Sequence, residues 1–131
     1  MRKGWRKYIG LVLIAVLAIV SDFFFVGKLS ADFQPDSIIL RGGLTSEKVM
    51  ISEVDTVEWL DTYQVGKRLS GVDTMQYISG EYQGEAIGET VSLFVDRNYQ
   101  GEYLELILNN HSVIVGSKYI DLKLLQNLLT K

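Results

Sequence analysis

The chain offers little that could carry out a reaction. Its one histidine, His111, stands between Asn110 and Ser112, and its 131 residues include no cysteine. Nucleophilic catalysis needs a nucleophile with a positioned base. Thiol chemistry is excluded, and a lone histidine at a hairpin tip reads as a solvated turn residue rather than a general base. Glu81, Glu85 and Glu89 surround a turn that also holds Gly84 and Gly88. Oxygen ligation of a hard cation such as Ca²⁺ is the chemistry open to them, and a solvated acidic hairpin is the simpler reading. Glu53, Asp55, Glu58 and Asp61 crowd one segment without a ligand spacing. In a strand, Glu53 and Asp55 would share a face, whereas Glu58 and Asp61 would fall on opposite faces. Lys67 and Arg68 are the only adjacent cations beyond the N-terminal block. Such a pair can hold an anion or an acidic partner through the arginine fork, or Arg68 can brace its own loop against a carboxylate or carbonyl. No catalytic, cofactor or metal-binding set emerges, so the sequence points to a binding module rather than an enzyme.

The elements that must position these residues are mostly strands. Short apolar runs separated by turn residues cover Ser37 to Arg41, Glu47 to Ile51, Val54 to Asp61, Met75 to Tyr82, Thr90 to Asp96, Glu102 to Leu108 and Ser112 to Gly116. Leu104, Leu106 and Leu108 alternate with Tyr103, Glu105 and Ile107, as a half-buried strand requires. Asn109-Asn110 suits a tight hairpin, since asparagine tolerates positive φ. From Tyr119 the period changes to three and four, through Leu122, Leu125 and Leu129, which marks an amphipathic helix. Ser117 is the expected N-cap, with Asp121 in the first turn. Thr62 to Thr74 is read as one long loop, and such loops are often functional. Trp59, Tyr63, Tyr77, Tyr82 and Tyr103 are expected in the core or on sheet faces.

The first 27 residues have a different character. Arg2, Lys3, Arg6 and Lys7 precede an apolar run from Tyr8 to Val26, interrupted near its outer end by Ser21 and Asp22. That run approaches the roughly 20 residues a helix needs to cross a bilayer, and Trp5 and Tyr8 sit where interfacial aromatics would. It is read as a signal anchor, with Tyr8, Gly10, Leu11, Val20, Phe23 and Phe25 among the membrane residues. The basic block then stays in the cytoplasm, and everything after Lys28 lies outside. Cleavage as a signal peptide is the competing reading, but Leu29-Ser30-Ala31 is a poor small-x-small site. Residues 28–36, with the only proline at Pro35, are read as a linker, and 37–131 as the folded domain.

From Ala31 onward, 15 acidic side chains face 8 basic ones, a net charge near −7. Phosphate backbones and anionic lipid headgroups repel such a surface, so nucleic acid is not expected as a partner. Without cysteine the domain must stand on its hydrophobic core.

Seven strands followed by one helix is the order of the pleckstrin-homology fold, and the local text resembles the bacterial PH-like domains of small membrane-anchored proteins. The resemblance runs from about Val49 to Leu129. It is carried by ISEVDTVEWLD at Ile51–Asp61, G-K-R-x-x-G at Gly66–Gly71, YISGEY at Tyr77–Tyr82, Gly88 before TVSLFV, and the NNHSVIV hairpin. Gln64-Val65 stands where the family often has a proline. The resemblance implies a mainly β fold, a seven-stranded bent sheet or barrel capped by a C-terminal α-helix. It also implies a binding role without cofactor. Eukaryotic PH domains grip phosphoinositides through a basic cluster between their first strands. Here Arg41 to Lys48 holds two cations and Glu47, so phosphoinositide is not expected. The expected function is docking of a protein or peptide at the cell envelope. Protection of the membrane against a cationic peptide toxin is the alternative, because the negative domain would attract such a peptide.

Overall fold

The alternation of Leu104, Leu106 and Leu108 places all three against one core, and the rest of the fold is arranged to cover that face. The computed structural model describes residues 28–130 except Leu44, Ile87 and Asn110, together with Leu13. Tyr8, Gly10, Leu11, Val20, Phe23 and Phe25, expected to form an anchor, lie outside the described residues. Among the described residues no helix is long and apolar enough to cross a membrane.

The domain is mainly β, with two sheets and one C-terminal helix. Three strands, β1 (Ser30–Phe33), β2 (Ser37–Gly42) and β3 (Thr45–Met50), form an antiparallel sheet in sequence order. A 3-10 turn, Ile51–Glu53, leads into six more strands: β4 (Val54–Leu60), β5 (Arg68–Asp73), β6 (Tyr77–Gln83), β7 (Thr90–Asp96), β8 (Tyr103–Leu108) and β9 (His111–Gly116). These pair in the order β4-β8-β9-β7-β6-β5. The chain leaves β7, skips one place to lay β8, and turns back so that β9 fills the gap parallel to β7. The other neighbours in this sheet are antiparallel.

The inner face of the large sheet contributes Tyr77, Phe94, Leu104, Leu106, Leu108, Val113 and Val115. Ile38 and Leu40 of β2, Val49 of β3, and the helix α1 (Leu122–Leu129) close over it, with Leu122, Leu125 and Leu129 facing inward. A second, smaller core lies on the outer face. There Val91, Leu93, Val95 and Ile114 are covered by Leu60, Tyr63, Val65, Tyr82 and Tyr103. Strand β7 is therefore buried on both faces, which explains its almost continuous apolar text.

Four expectations change. Residues 28–36 are not a linker: β1 pairs with β2, and Leu29 is only 1% exposed in the main core. The 62–74 segment is not one long loop, because its second half forms the edge strand β5. Among the described residues nine strands form rather than seven. The helix is capped by Asp121, whose carboxylate accepts the Leu124 N–H at 3.1 Å, rather than by Ser117.

The text of β5 concealed it for a steric reason. Gly71 sits opposite Gly80, with φ of 116° and 150°. A Cβ at Gly71 would stand 2.4 Å from the Gly80 Cα. The strands meet where neither can carry a side chain, beside a bulge between Arg68 and Ser70. That interrupts the alternation by which a strand is read.

Burial of this kind sets a clear expectation. Leu29→Ala should cost about 2–5 kcal/mol, like Leu125→Ala, whereas Leu124→Ala should stay within about 0.5 kcal/mol. Thermal unfolding of the full chain in detergent measures it. A Leu29 variant as benign as the Leu124 variant would return residues 28–36 to the status of a linker.

Candidate functional site

Polar groups gather in three places, and each can be followed from the elements that hold it. The first lies between the sheets. Glu47 of β3 turns toward β7, where Ser92 donates its hydroxyl to Glu47 Oε1 at 2.9 Å. His111 Nε2, at the start of β9, is 3.6 Å from the same oxygen. Glu47 Oε2 is buried without a hydrogen-bond partner among the described residues. Burial raises the Glu47 pKa and the nearby Glu81 adds to this, while Ser92 and His111 pull it down. Serine, histidine and a carboxylate do meet here, but the serine hydroxyl donates its hydrogen bond to the carboxylate and not to the histidine. Ser92 is also only 3% exposed, closed off from any substrate. The cluster joins the two sheets, as does the bond from Ser79 Oγ to the Gly42 carbonyl at 3.0 Å.

The second place is the outer face near the β8–β9 hairpin. Register puts Glu58 of β4 directly opposite Glu105 of β8. Like charges placed so oppose the pairing. Burial raises the Glu105 pKa, followed by repulsion from Glu58, Glu89 and Glu85. Glu89, Glu105, Ile107 and His111 line an open groove of about 470 Å³. Among the described residues no group of His, Asp and Glu is placed to hold a metal ion. The third glutamate of the turn, Glu81, lies in β6, so the expected trio is divided between strand and turn. Glu89 is occupied locally, accepting the Ala86 N–H at 3.2 Å.

The third place is the opposite end of the strands. Lys28, Gln76, Asn98, Lys118 and Tyr119 line a cleft of about 240 Å³, with Tyr77 and Asp96 at its inner wall. The Lys28 and Lys118 ammonium groups lie 4.7 and 5.1 Å from the centre of the Tyr119 ring. Both distances are in the range of cation–π attraction. Asp96 Oδ2 accepts from Ser117 Oγ at 2.9 Å and from the Lys118 N–H at 3.0 Å, which fixes the turn carrying Lys118. The Tyr77 hydroxyl is buried without a partner among the described residues. A neighbouring groove of about 660 Å³ shares Tyr99 and Lys118 and runs between Trp59 and the start of α1.

Lys67 and Arg68 belong to none of these. Both are exposed at the start of β5, where the Lys67 carbonyl accepts the Gln83 N–H at 2.9 Å. The arginine that braces a turn is Arg97, bonded to Asp73 and to the Thr74 carbonyl. The aromatic residues fall where expected: Tyr77 is buried, while Trp59, Tyr63, Tyr82 and Tyr103 are half-buried in the two cores. Sequence reading missed the Lys28–Tyr119–Lys118 cleft, because Lys28 and Lys118 are 90 positions apart.

No protein-family model matches the chain, and no curated protein or solved structure matches it.

The buried carboxylate at Glu47 makes a pH test direct. Its folded-state pKa is raised, so its contribution favours the fold below the unfolded carboxylate pKa and is lost as pH rises through the folded value. Glu47→Gln should raise Tm by a few degrees at pH 7.5 and leave it unchanged at pH 4, flattening the pH profile. A variant destabilised equally at both pH values would mean that the charge itself holds the sheets together.

Proposed function

We propose that this chain is a membrane-anchored, extracytoplasmic and non-enzymatic binding module that docks a protein or peptide partner at the cell envelope. The observation that carries the reading is Leu29. The fold begins there, three residues after the apolar run ends at Val26. Processing within Leu29–Ala31 would remove a core side chain or split β1. The domain therefore needs its chain from Leu29 onward, which favours a retained anchor over a signal cleaved at that site. The buried setting of Ser92 and its bond to Glu47 support a structural part for that polar cluster and leave binding as the better reading.

A bacterial PH-like identity belongs to the same proposal. A mainly β domain of two sheets with one terminal amphipathic helix packed on its core supports it. The parallel β7–β9 pair departs from a plain seven-strand meander, and β1 and β5 are additional strands.

A second reading, protection against a cationic peptide toxin, is favoured by one feature. On the outer face burial and then the charges of Glu58, Glu89 and Glu85 raise the proton affinity of Glu105, and a cationic partner would relieve that repulsion.

Two measurements follow. Asn109→Cys supplies the only thiol, at an exposed position beside the β8–β9 hairpin. In intact bacteria, a membrane-impermeant maleimide should label full-length protein in the membrane fraction. Labelling only after lysis would place the domain in the cytoplasm, and labelled protein in the medium would mean cleavage. For the second reading, an oligolysine peptide should bind the full chain at low salt. Glu58→Gln/Glu105→Gln should weaken that binding several-fold, and equal binding by both proteins would remove the outer face as the receptor.

A further inference from the structure

The cleft between Lys28 and Lys118 lies at the end of the domain where the chain arrives from the apolar run, and the distance between them is short. Lys28 is two residues past Val26. A fully extended chain covers at most about 3.3–3.6 Å per residue, so the Lys28 backbone lies no more than about 7 Å from the end of that run. The polar layer of each leaflet is about 5–7 Å deep. If residues 8–26 cross the bilayer, Lys28 stands at the level of the lipid phosphates. No linker separates it from the fold, because Leu29 is already in the core.

Other groups at this end suit the same depth. Tyr119 is 46% exposed and Met75, at the β5–β6 turn beside Gln76, is 92% exposed. An amphipathic ring and an apolar tip are residues that settle at a membrane–water interface. The turn bearing Met75 is held firmly: Thr74 Oγ1 accepts the Gln76 and Tyr77 N–H groups at 3.1 and 3.0 Å, and Arg97 clamps Asp73 and Thr74. Lys28 and Lys118 share one ring, so their charges are no more than about 10 Å apart, about one Debye length at 0.1 M salt. Their fields add, and an anion between them would relieve their mutual repulsion. The Asn98 and Gln76 side chains line the same cleft as further donors. Asp96 is the opposing charge, but one of its oxygens is engaged by Ser117 and the Lys118 backbone. The cleft is locally positive in a domain otherwise near −7. An anionic bilayer would attract this end and repel the glutamates of the outer face, turning the domain one way up.

We propose that the Lys28–Tyr119–Lys118 cleft binds the phosphate of an anionic membrane lipid, seating the Met75–Tyr119 end of the domain on the bilayer surface. This rests on the reading of residues 8–26 as a retained anchor. It gives the domain a fixed attitude, with the acidic outer face and the β8–β9 hairpin directed away from the membrane.

The test uses the full chain in vesicles, with a polarity-sensitive fluorophore on Met75→Cys and, separately, on Asn109→Cys. Vesicles of phosphatidylcholine alone are compared with vesicles containing phosphatidylglycerol, each with a quencher at headgroup depth. The label at position 75 should be quenched several-fold more than that at 109, and only when phosphatidylglycerol is present. Lys28→Gln/Lys118→Gln should abolish the difference while the protein still floats with the vesicles. Equal quenching at both positions, or quenching indifferent to the two lysines, would overturn the lipid contact and leave the anchor standing. A lysine-dependent response of the position-75 label to millimolar inorganic phosphate, with none to phosphatidylglycerol, would assign the cleft to free phosphate and overturn the lipid as its ligand. Protein that fails to float would overturn the anchor, and the lipid contact with it.

Discussion

The inner face of the six-stranded sheet is the constraint on which the rest of the structure depends. Phe94, Leu104, Leu106, Val113 and Val115 form an apolar surface that a single sheet leaves open to water. Burying a side chain of this size is worth roughly 1.5–3 kcal/mol relative to leaving it exposed. A cover is therefore required, and this chain supplies it from both of its ends. The β1–β2–β3 sheet closes over part of the face before the large sheet begins in sequence, and α1 closes the remainder after β9. The core is made of contacts between residues far apart in the chain, so the two ends of the domain are tied together by packing.

That arrangement explains the polar groups held inside. Two sheets lying face to face bring backbone and hydroxyl groups into places that water cannot reach, and each needs a partner. Ser79 finds the Gly42 carbonyl, Ser92 finds Glu47, and Ser117 finds Asp96. The Glu47 cluster is thus a consequence of sheet packing. Its burial costs stability at neutral pH, and the Ser92 and His111 contacts offset part of that cost.

Patterns confined to one element could be read from the sequence, and patterns spanning the chain could not. The β8 alternation and the α1 period locate their elements because burial on one face leaves a regular text. Strand β5 escaped notice because Gly71 and Gly80 meet there without side chains and most of the strand is exposed. Strand β1 was hidden by polar text around Pro35 and by its short length. The N-cap was misplaced by four residues because Ser117 is drawn to Asp96, a partner 21 positions away. Glu58 and Glu105 were both visible as charges, but only register places them opposite each other. Which cations share a cleft was likewise beyond any local reading.

The division of charge follows from the same geometry. Strand β9 runs from His111 at one end of the sheet to Gly116 at the other, and β7 beside it runs the same way. The turns at one end therefore carry Glu85, Glu89 and Asn109, while those at the other carry Arg97, Lys118 and Tyr119. Because β1 follows directly on Leu29, the chain enters at the second end, beside Tyr119. On the proposed reading of residues 8–26 as an anchor, Lys28, Lys118 and Tyr119 around this entry point are the groups nearest the membrane. The acidic outer face is left to the other side. The proposed docking face and the proposed lipid contact thus differ in sign within one small domain and do not compete for the same partner.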